Sequence, residues 1–324
     1  MGDWFNSRRS SARGRSRDMS RDSLAGRVLR GDRMAVARAI TMVENREEGS
    51  EELLVRIGRR VGGSFVLGVT GPPGTGKSSL VDRLIGEYRK TGVKVGVIAI
   101  DPTSPMSGGA LLGDRIRMTR HTMDKGVFIR SMASRGWVGG LSGAVSEAIQ
   151  VLDAAGMGVV IVETVGIGQA DVEIMRVAHA VMVVTIPGLG DEVQVSKAGL
   201  MEIGDIYAVN KADLPGADSM VISLLGMVRD IKGRSPPVLK VSALRGDGVT
   251  TLFEAVEVAR KKTLSPQGKQ VRLKSVRGMI IELAKRRLLD EFDRSAERSA
   301  LRLAKRVEDR KLSIGEAARL LSEE

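Results

Sequence analysis

The sequence predicts an α/β protein: a doubly wound, mostly parallel sheet, preceded by an N-terminal helical segment and followed by a C-terminal helical arm. Three observations carry this. Short Val- and Ile-rich runs alternate with helical stretches from residue 64 onward, the pattern of parallel strands buried on both faces and joined by right-handed crossovers. A glycine-rich turn separates the first run from the helix after it. Carboxylates close two of the runs, at the strand ends where open α/β sheets bind ligands.

Taken in order, residues 1–20 are rich in Arg, Ser and Gly, lack apolar periodicity, and read as a disordered basic tail. Residues 21–62 read as a helical segment. Leu24, Val28 and Leu29, then Met34, Val36, Ala37, Ile40 and Val43, recur at helical spacing, and Leu53, Leu54 and Ile57 follow a break at Gly49 and Ser50. Residues 63–262 hold the runs "SFVLGVT", "VKVGVIAID", "GVFIRSM", "GVVIVET", "AVMVVTI", "DIYAVN" and "PVLKVSA". Residues 263–324 read as a charged helical arm in which Ala284, Leu288, Phe292, Ala296, Ala300, Leu303 and Val307 form one narrow apolar stripe. Such a stripe needs a partner, either the body of the protein or a second copy. "SIGEAARLL" reads as a closing helix with Ser313 at its cap and Glu316 three residues on.

Composition narrows the function. With 324 residues, 42% apolar and 28% charged, the chain suits one sizeable domain with appendages, or two domains. There is no cysteine, so no disulfide framework, thiolate nucleophile or cysteine metal site. His121 and His179 have no ligand-like spacing and read as surface or satisfied core histidines. The apolar runs are strand-sized, no secretory signal is evident, and the expected location is the cytoplasm, away from any membrane. The net charge of +12 suggests nucleic acid at first sight, but residues 1–30 carry +5 and residues 261–324 carry +7. The body between them is neutral, with 26 basic and 26 acidic groups. Basic ends attract acidic partners, yet they are no evidence about the central chemistry, and nucleic acid is not the partner expected.

The central chemistry begins at "GPPGTGKSSL". Gly71, Pro72, Pro73, Gly74, Thr75, Gly76, Lys77 and Ser78, followed by Ser79, satisfy G-x-x-x-x-G-K-[ST] in full between a strand and a helix. Glycines let main-chain amides converge on phosphate oxygens, and the helix N-terminus adds partial positive charge. Lys77 reaches the β and γ phosphates and the Ser78 hydroxyl is placed for Mg2+. These features read as a P-loop NTPase cradle.

The base is read downstream. "NKAD" places Asn210, Lys211 and Asp213 after a strand, and an aspartate there accepts hydrogen bonds from guanine N1–H and the N2 amino group, a donor pair that adenine lacks. The Lys211 stem covers the base plane. "VSAL" brings Ser242, Ala243 and Leu244 after the next strand, where a main-chain amide meets guanine O6. The ligands expected are therefore GTP and GDP with Mg2+. Asp101 and Glu163 close two strands, suited to hold Mg2+ through water or to orient the attacking water. Gly166, in "TVGIGQAD", is the amide aimed at the γ-phosphate, and Asp114 is a third acid candidate in a glycine-rich loop.

"GPPGTGKSSL", "AIDPTSPMSGGALLGDRIRM", "FIRSMASRGWVGGLS", "VIVETVGIGQAD", "PGLGDEVQVSKAGLMEIGD" and "VNKAD" occur in this order. Together they resemble the MeaB/ArgK family, G-protein chaperones of cobalamin-dependent acyl-CoA mutases such as methylmalonyl-CoA mutase. The likeness covers residues 24–260 closely and the arm only in general character. It implies a P-loop GTPase of the dimerisation-linked branch that includes signal-recognition and metallochaperone GTPases. It implies a homodimer through the C-terminal arm, and GTP hydrolysis coupled to loading or protecting the mutase's adenosylcobalamin. By the same motifs Ser78, Asp101, Asp114 and Glu163 surround Mg2+, and "GDEVQVSKAG" is an extra switch that answers the mutase, with Lys197 its charged member. Two alternatives stand beside it. A metal-delivering GTPase normally needs a Cys/His-rich platform, which this chain lacks; a nucleic-acid-associated GTPase would use the basic ends.

Overall fold

The computed structural model describes residues 23–101, 119–121, 123–133, 143–164, 176–188, 202–228 and 235–323. Asp114, Gly166, Lys197 and the basic tail lie outside the described residues, as does the side chain of Asp101.

All seven predicted runs are strands: β1 (Phe65–Thr70), β2 (Val95–Asp101), β3 (Val127–Ala133), β4 (Val159–Glu163), β5 (Ala180–Thr185), β6 (Ile206–Val209) and β7 (Val238–Lys240). They form one sheet in the order β3-β2-β4-β1-β5-β6-β7, with every pairing parallel. β1, β4 and β5 are buried along their whole length, which is why their sequences read as continuous apolar runs and not as an alternation.

Three helices precede the sheet: α1 (Leu24–Leu29), α2 (Arg33–Asn45) and α3 (Ser50–Ile57). Asp32 caps α2, accepting from the amides of Met34 and Ala35 at 2.9 and 3.0 Å, and Arg46 closes it in the left-handed conformation. Within the sheet region come α4 (Lys77–Lys90), α5 (Gly143–Ala154), α6 (Ala217–Val228) and α7 (Val249–Leu264), and beyond it α8 (Lys269–Glu308) and α9 (Ile314–Glu323). α4 and α7 cover one face of the sheet through Leu80, Leu84, Tyr88, Leu252 and Val256. α5, α6 and the N-terminal helices cover the other, so Val36, Ile40 and Ile57 belong to the same core as Val145 and Leu152. His179 is a satisfied core residue whose Nδ1 accepts from the Val66 amide at 3.0 Å, and burial pulls its pKa down to about 4. α9 begins with the expected cap, Glu316 Oε2 accepting from the Ser313 amide at 2.9 Å.

α8 is held on the body by residues beside its apolar stripe, whose Ala284, Leu288 and Phe292 are exposed. Ser275 Oγ donates to Val177 O at 2.6 Å and Arg176 pairs with Glu282, which is 3% exposed. Arg286 Nη1 donates to Glu147 on α5 at 2.5 Å and its Nη2 to Val43 O at 3.0 Å. Residues 275–286 therefore lie on the body. Beyond them Leu288, Leu289 and Phe292 are exposed, while Leu303 is buried where α8 packs on α9. Gly278 makes the body contact possible, because a Cβ there would overlap the Arg176 carbonyl oxygen. Gly278→Val is expected to lower stability by about 1–3 kcal/mol through overpacking. Gly315→Ala, whose added Cβ would meet nothing within 4 Å and which gains helix propensity, serves as the control, expected to melt at or slightly above the wild type.

Candidate functional site

The strand registers assemble the site. Val69 on β1 lies beside Glu163 on β4, two residues before the glycine-rich turn, and Ala99 on β2 lies on the other side of Glu163. Asp101 ends β2 two residues further on. On the opposite flank Thr185 of β5 pairs with Val209 of β6, and the Asn210 amide donates to Thr185 O at 2.7 Å. Four strand ends thus converge around the turn between β1 and α4.

In that turn Gly76 is the N-cap of α4, at φ 85°, and supplies no side-chain cap. A Cβ at Gly76 would overlap Asn210 Nδ2, so only glycine permits both the left-handed backbone and the approach of β6. The Lys77 side chain folds back over the loop, Nζ donating to Gly71 O at 2.8 Å and to Pro72 O at 3.1 Å. Ser78 Oγ donates to Glu163 Oε1 at 2.7 Å, and both residues are buried, at 4% and 3% exposure. Lysine, hydroxyl and carboxylate, drawn from sequence alone as parts of one centre, are brought together here. Thr164 extends the contact, its amide donating to Val69 O at 3.0 Å.

The base-reading candidates are equally close. Asp213 Oδ1 accepts from Ser242 Oγ at 2.6 Å. That bond, then the residue's own amide, and the charges of Arg245 and Lys211 hold the Asp213 carboxyl below the usual carboxylate range. It is ionised at neutral pH. Lys211 sits at φ 54°, a left-handed kink that turns the chain out of β6. Asn210 does more than the sequence showed: Nδ2 donates to Thr75 O at 2.8 Å and Oδ1 accepts from the Ala243 amide at 3.0 Å. One buried amide side chain thus bolts the glycine-rich turn to the base loop. Of the Ser242–Leu244 amides, one of which was expected to meet the base, that of Ala243 is committed to this bolt.

A cleft of about 390 Å³ runs alongside, lined among others by Gly76, Ser79, Arg83, Lys211, Asp213 and Leu244. Arg83, on α4, donates to Ala243 O at 2.7 Å and Leu244 O at 2.8 Å, a role sequence reasoning missed because an arginine on a helix surface reads as solvated. His121 has Nε2 3.1 Å from Asp82 O, and Asp82 lines the cleft. Among the described residues no cluster of three or more His, Cys, Asp or Glu side chains is arranged to hold a metal, and no helix is long and apolar enough to cross a membrane.

Comparison with known proteins gives the chain's relatives. The chain is 52% identical over 247 residues to a GTPase-named protein of Pyrococcus abyssi, covering 74% of this chain and 76% of that one. It is 37% identical over 262 residues to the GTPase ArgK of Escherichia coli strain K12, covering 78% of each. Among solved structures, a crystal structure described as LAO/AO transport system kinase superposes with a TM-score of 0.65 at 29% identity, covering 93% of this chain and 95% of that one. Residues 36–297 match the family described as methylmalonyl Co-A mutase-associated GTPase MeaB. That match spans most of the chain, and together with the identity to ArgK it shows that the chain belongs to the MeaB family of GTPases.

Proposed function

We propose that this GTPase is Mg2+-dependent and acts as a G-protein chaperone, gating the loading and protection of adenosylcobalamin in methylmalonyl-CoA mutase or a related acyl-CoA mutase. The observation that carries the nucleotide part is Asn210 bridging Thr75 O and the Ala243 amide. It supports that reading by tying the glycine-rich turn to the loop whose Ser242 braces the ionised Asp213 carboxylate. The mutase part rests on the family description.

The donor set fits Mg2+. Ser78 Oγ and Glu163 Oε1, 2.7 Å apart, are hard oxygens of the kind that ion takes together with phosphate and water. Ser78 would hold it directly; Glu163, Asp101 and Asp114 would hold its water ligands. When bound, the ion supplies neutralisation of charge between the β and γ phosphates.

In hydrolysis a water oxygen bonds to the γ-phosphorus and the β–γ bridging oxygen leaves with GDP. Lys77 exchanges its two loop carbonyls for β- and γ-phosphate oxygens, and its ammonium offsets the charge that develops there. The α4 N-terminus contributes its dipole and first-turn amides. Glu163 orients the attacking water. The Gly166 amide responds to the γ-phosphate, and Lys197 belongs to the segment that answers the mutase. Asp213 and Lys211 select and cover the guanine. The exposed Leu288, Leu289 and Phe292 of α8 are read as the face through which the arm, residues 263–324, joins a homodimer.

The test is GTP turnover measured alone and with purified cobalamin-dependent acyl-CoA mutases. Stimulation of at least about tenfold by one of them is expected, since partner contacts complete GTPase sites. Unaltered turnover across the panel would remove the chaperone reading and leave the GTPase.

A further inference from the structure

The turn after β7 spends its amides in a telling way. Within Ser242–Gly246, the Ser242 amide donates to Asp247 O at 2.9 Å and the Gly246 amide to Ser242 O at 2.7 Å. The Ala243 amide donates to Asn210 Oδ1 at 3.0 Å and the Arg245 amide to Ser242 Oγ at 3.2 Å. Leu244 is the member of the turn whose amide donates to no group among the described residues, and its side chain is 81% exposed at the cleft. The carbonyls on either side of that residue are both taken by Arg83, through Nε to Ala243 O at 2.7 Å and Nη2 to Leu244 O at 2.8 Å.

Those two bonds fix a direction. The Ala243 carbonyl and the Leu244 N–H belong to one planar trans peptide and point opposite ways, so gripping the oxygen aims the amide. A planar guanidinium donating to two successive carbonyls holds the peptide against rotation better than a single donor would. Arg83 also stands on the helix that begins with Lys77 and Ser78. One rigid element therefore sets the spacing between the phosphate cradle and the base loop.

We propose that Arg83 is a specificity-determining positioning residue: from α4 it orients the Ala243–Leu244 peptide so that the Leu244 amide donates to the 6-carbonyl oxygen of the purine. This rests on the base site proposed above. It divides base reading in two, with Asp213 recognising the N1–H and N2 edge and the Arg83-held amide recognising position 6.

The experiment compares the wild type, Arg83→Ala and Arg83→Lys with three triphosphates, by calorimetric affinity and by kcat and KM. ITP lacks the N2 amino group and reads Asp213; 6-thio-GTP keeps N1–H and N2 but weakens the acceptor at position 6. Arg83→Ala is expected to raise KM for GTP about tenfold with kcat within about twofold, and to cut the preference for GTP over 6-thio-GTP about tenfold. The preference for GTP over ITP is expected to stay. Arg83→Lys, with a single donor group, is expected to fall between. An Arg83→Ala protein with wild-type KM and wild-type 6-thio-GTP discrimination overturns the proposal. So does equal loss of both preferences, which would mark Arg83 as a general prop. Should Arg83→Ala fail to fold, Arg83→Lys decides alone: a partial loss confined to position 6 supports the proposal, and unchanged discrimination refutes it. A wild-type protein indifferent between GTP and ITP would instead remove the base-site reading itself.

Discussion

Replacing Lys77 with alanine is expected to cut GTP hydrolysis about a thousandfold and to weaken GTP and GDP binding at least about tenfold. The side chain is 7% exposed and its ammonium is held by two main-chain oxygens, Gly71 O and Pro72 O, at 2.8 and 3.1 Å. Charge-assisted bonds of that kind contribute more than neutral ones, and here they keep the cation over the nest in which negative charge collects. Alanine leaves the carbonyls but removes the charge, so the loop retains its shape while losing the partner of the leaving oxygen. The cost should fall more heavily on kcat than on binding, because charge on the bridging oxygen grows only towards the transition state. Phosphate release and calorimetry with GDP separate the two. Turnover within tenfold of the wild type would sink the assignment of Lys77.

Asp213→Asn is expected to move preference from GTP towards XTP. The carboxylate, ionised and braced by Ser242 Oγ at 2.6 Å, has one oxygen set by the brace and the rest of its acceptor capacity for the base edge. Asparagine keeps an oxygen for Ser242, so the loop survives. It presents an NH2 group to the guanine N2 donors, two donors face to face, and loses the ionic acceptor. Charged hydrogen bonds contribute about 1.5–3 kcal/mol each, so GTP affinity should fall about a hundredfold or more. Xanthine, with a carbonyl at position 2, accepts from the new NH2 and regains most of that. Because the folded Asp213 carboxyl lies below its usual range, guanine preference in the wild type should hold through neutral and mildly acid pH and weaken only as the pH falls below the usual carboxylate range. Unchanged guanine preference in Asp213→Asn would reject the base-reading role.

The strands and the cradle were legible in the sequence for physical reasons. β1, β4 and β5 are buried on both faces and so are written as unbroken apolar runs, and the Gly71–Ser78 turn is written in glycines because few other residues tolerate its backbone. The Ser78–Glu163 contact was legible at one remove, since a carboxylate ending a central parallel strand has few places to point. Other parts were not. Asn210 was visible as a letter of a motif, but its two bonds to Thr75 O and the Ala243 amide depend on Gly76 leaving room from the far side. Arg83 carries no pattern, because its acceptors lie 160 and 161 residues away. The stripe on α8 was seen as one feature with one partner. In three dimensions its neighbourhood is shared between Arg176, α5 and α9, none of them encoded by helical spacing.

The way α8 is rooted has a mechanical consequence. Its two grips, Ser275 on Val177 O just ahead of β5 and Arg286 on Glu147 near the start of α5, are separated by about 16 Å of helix, and about 30 Å more follows before the helix ends at Glu308. With the lower grip as fulcrum, a small tilt of the upper one sweeps the far tip through nearly three times the arc. The arm is thus a lever with its short limb pressed against the sheet and its helices, and an ångström of adjustment beside α5 becomes several at the far tip.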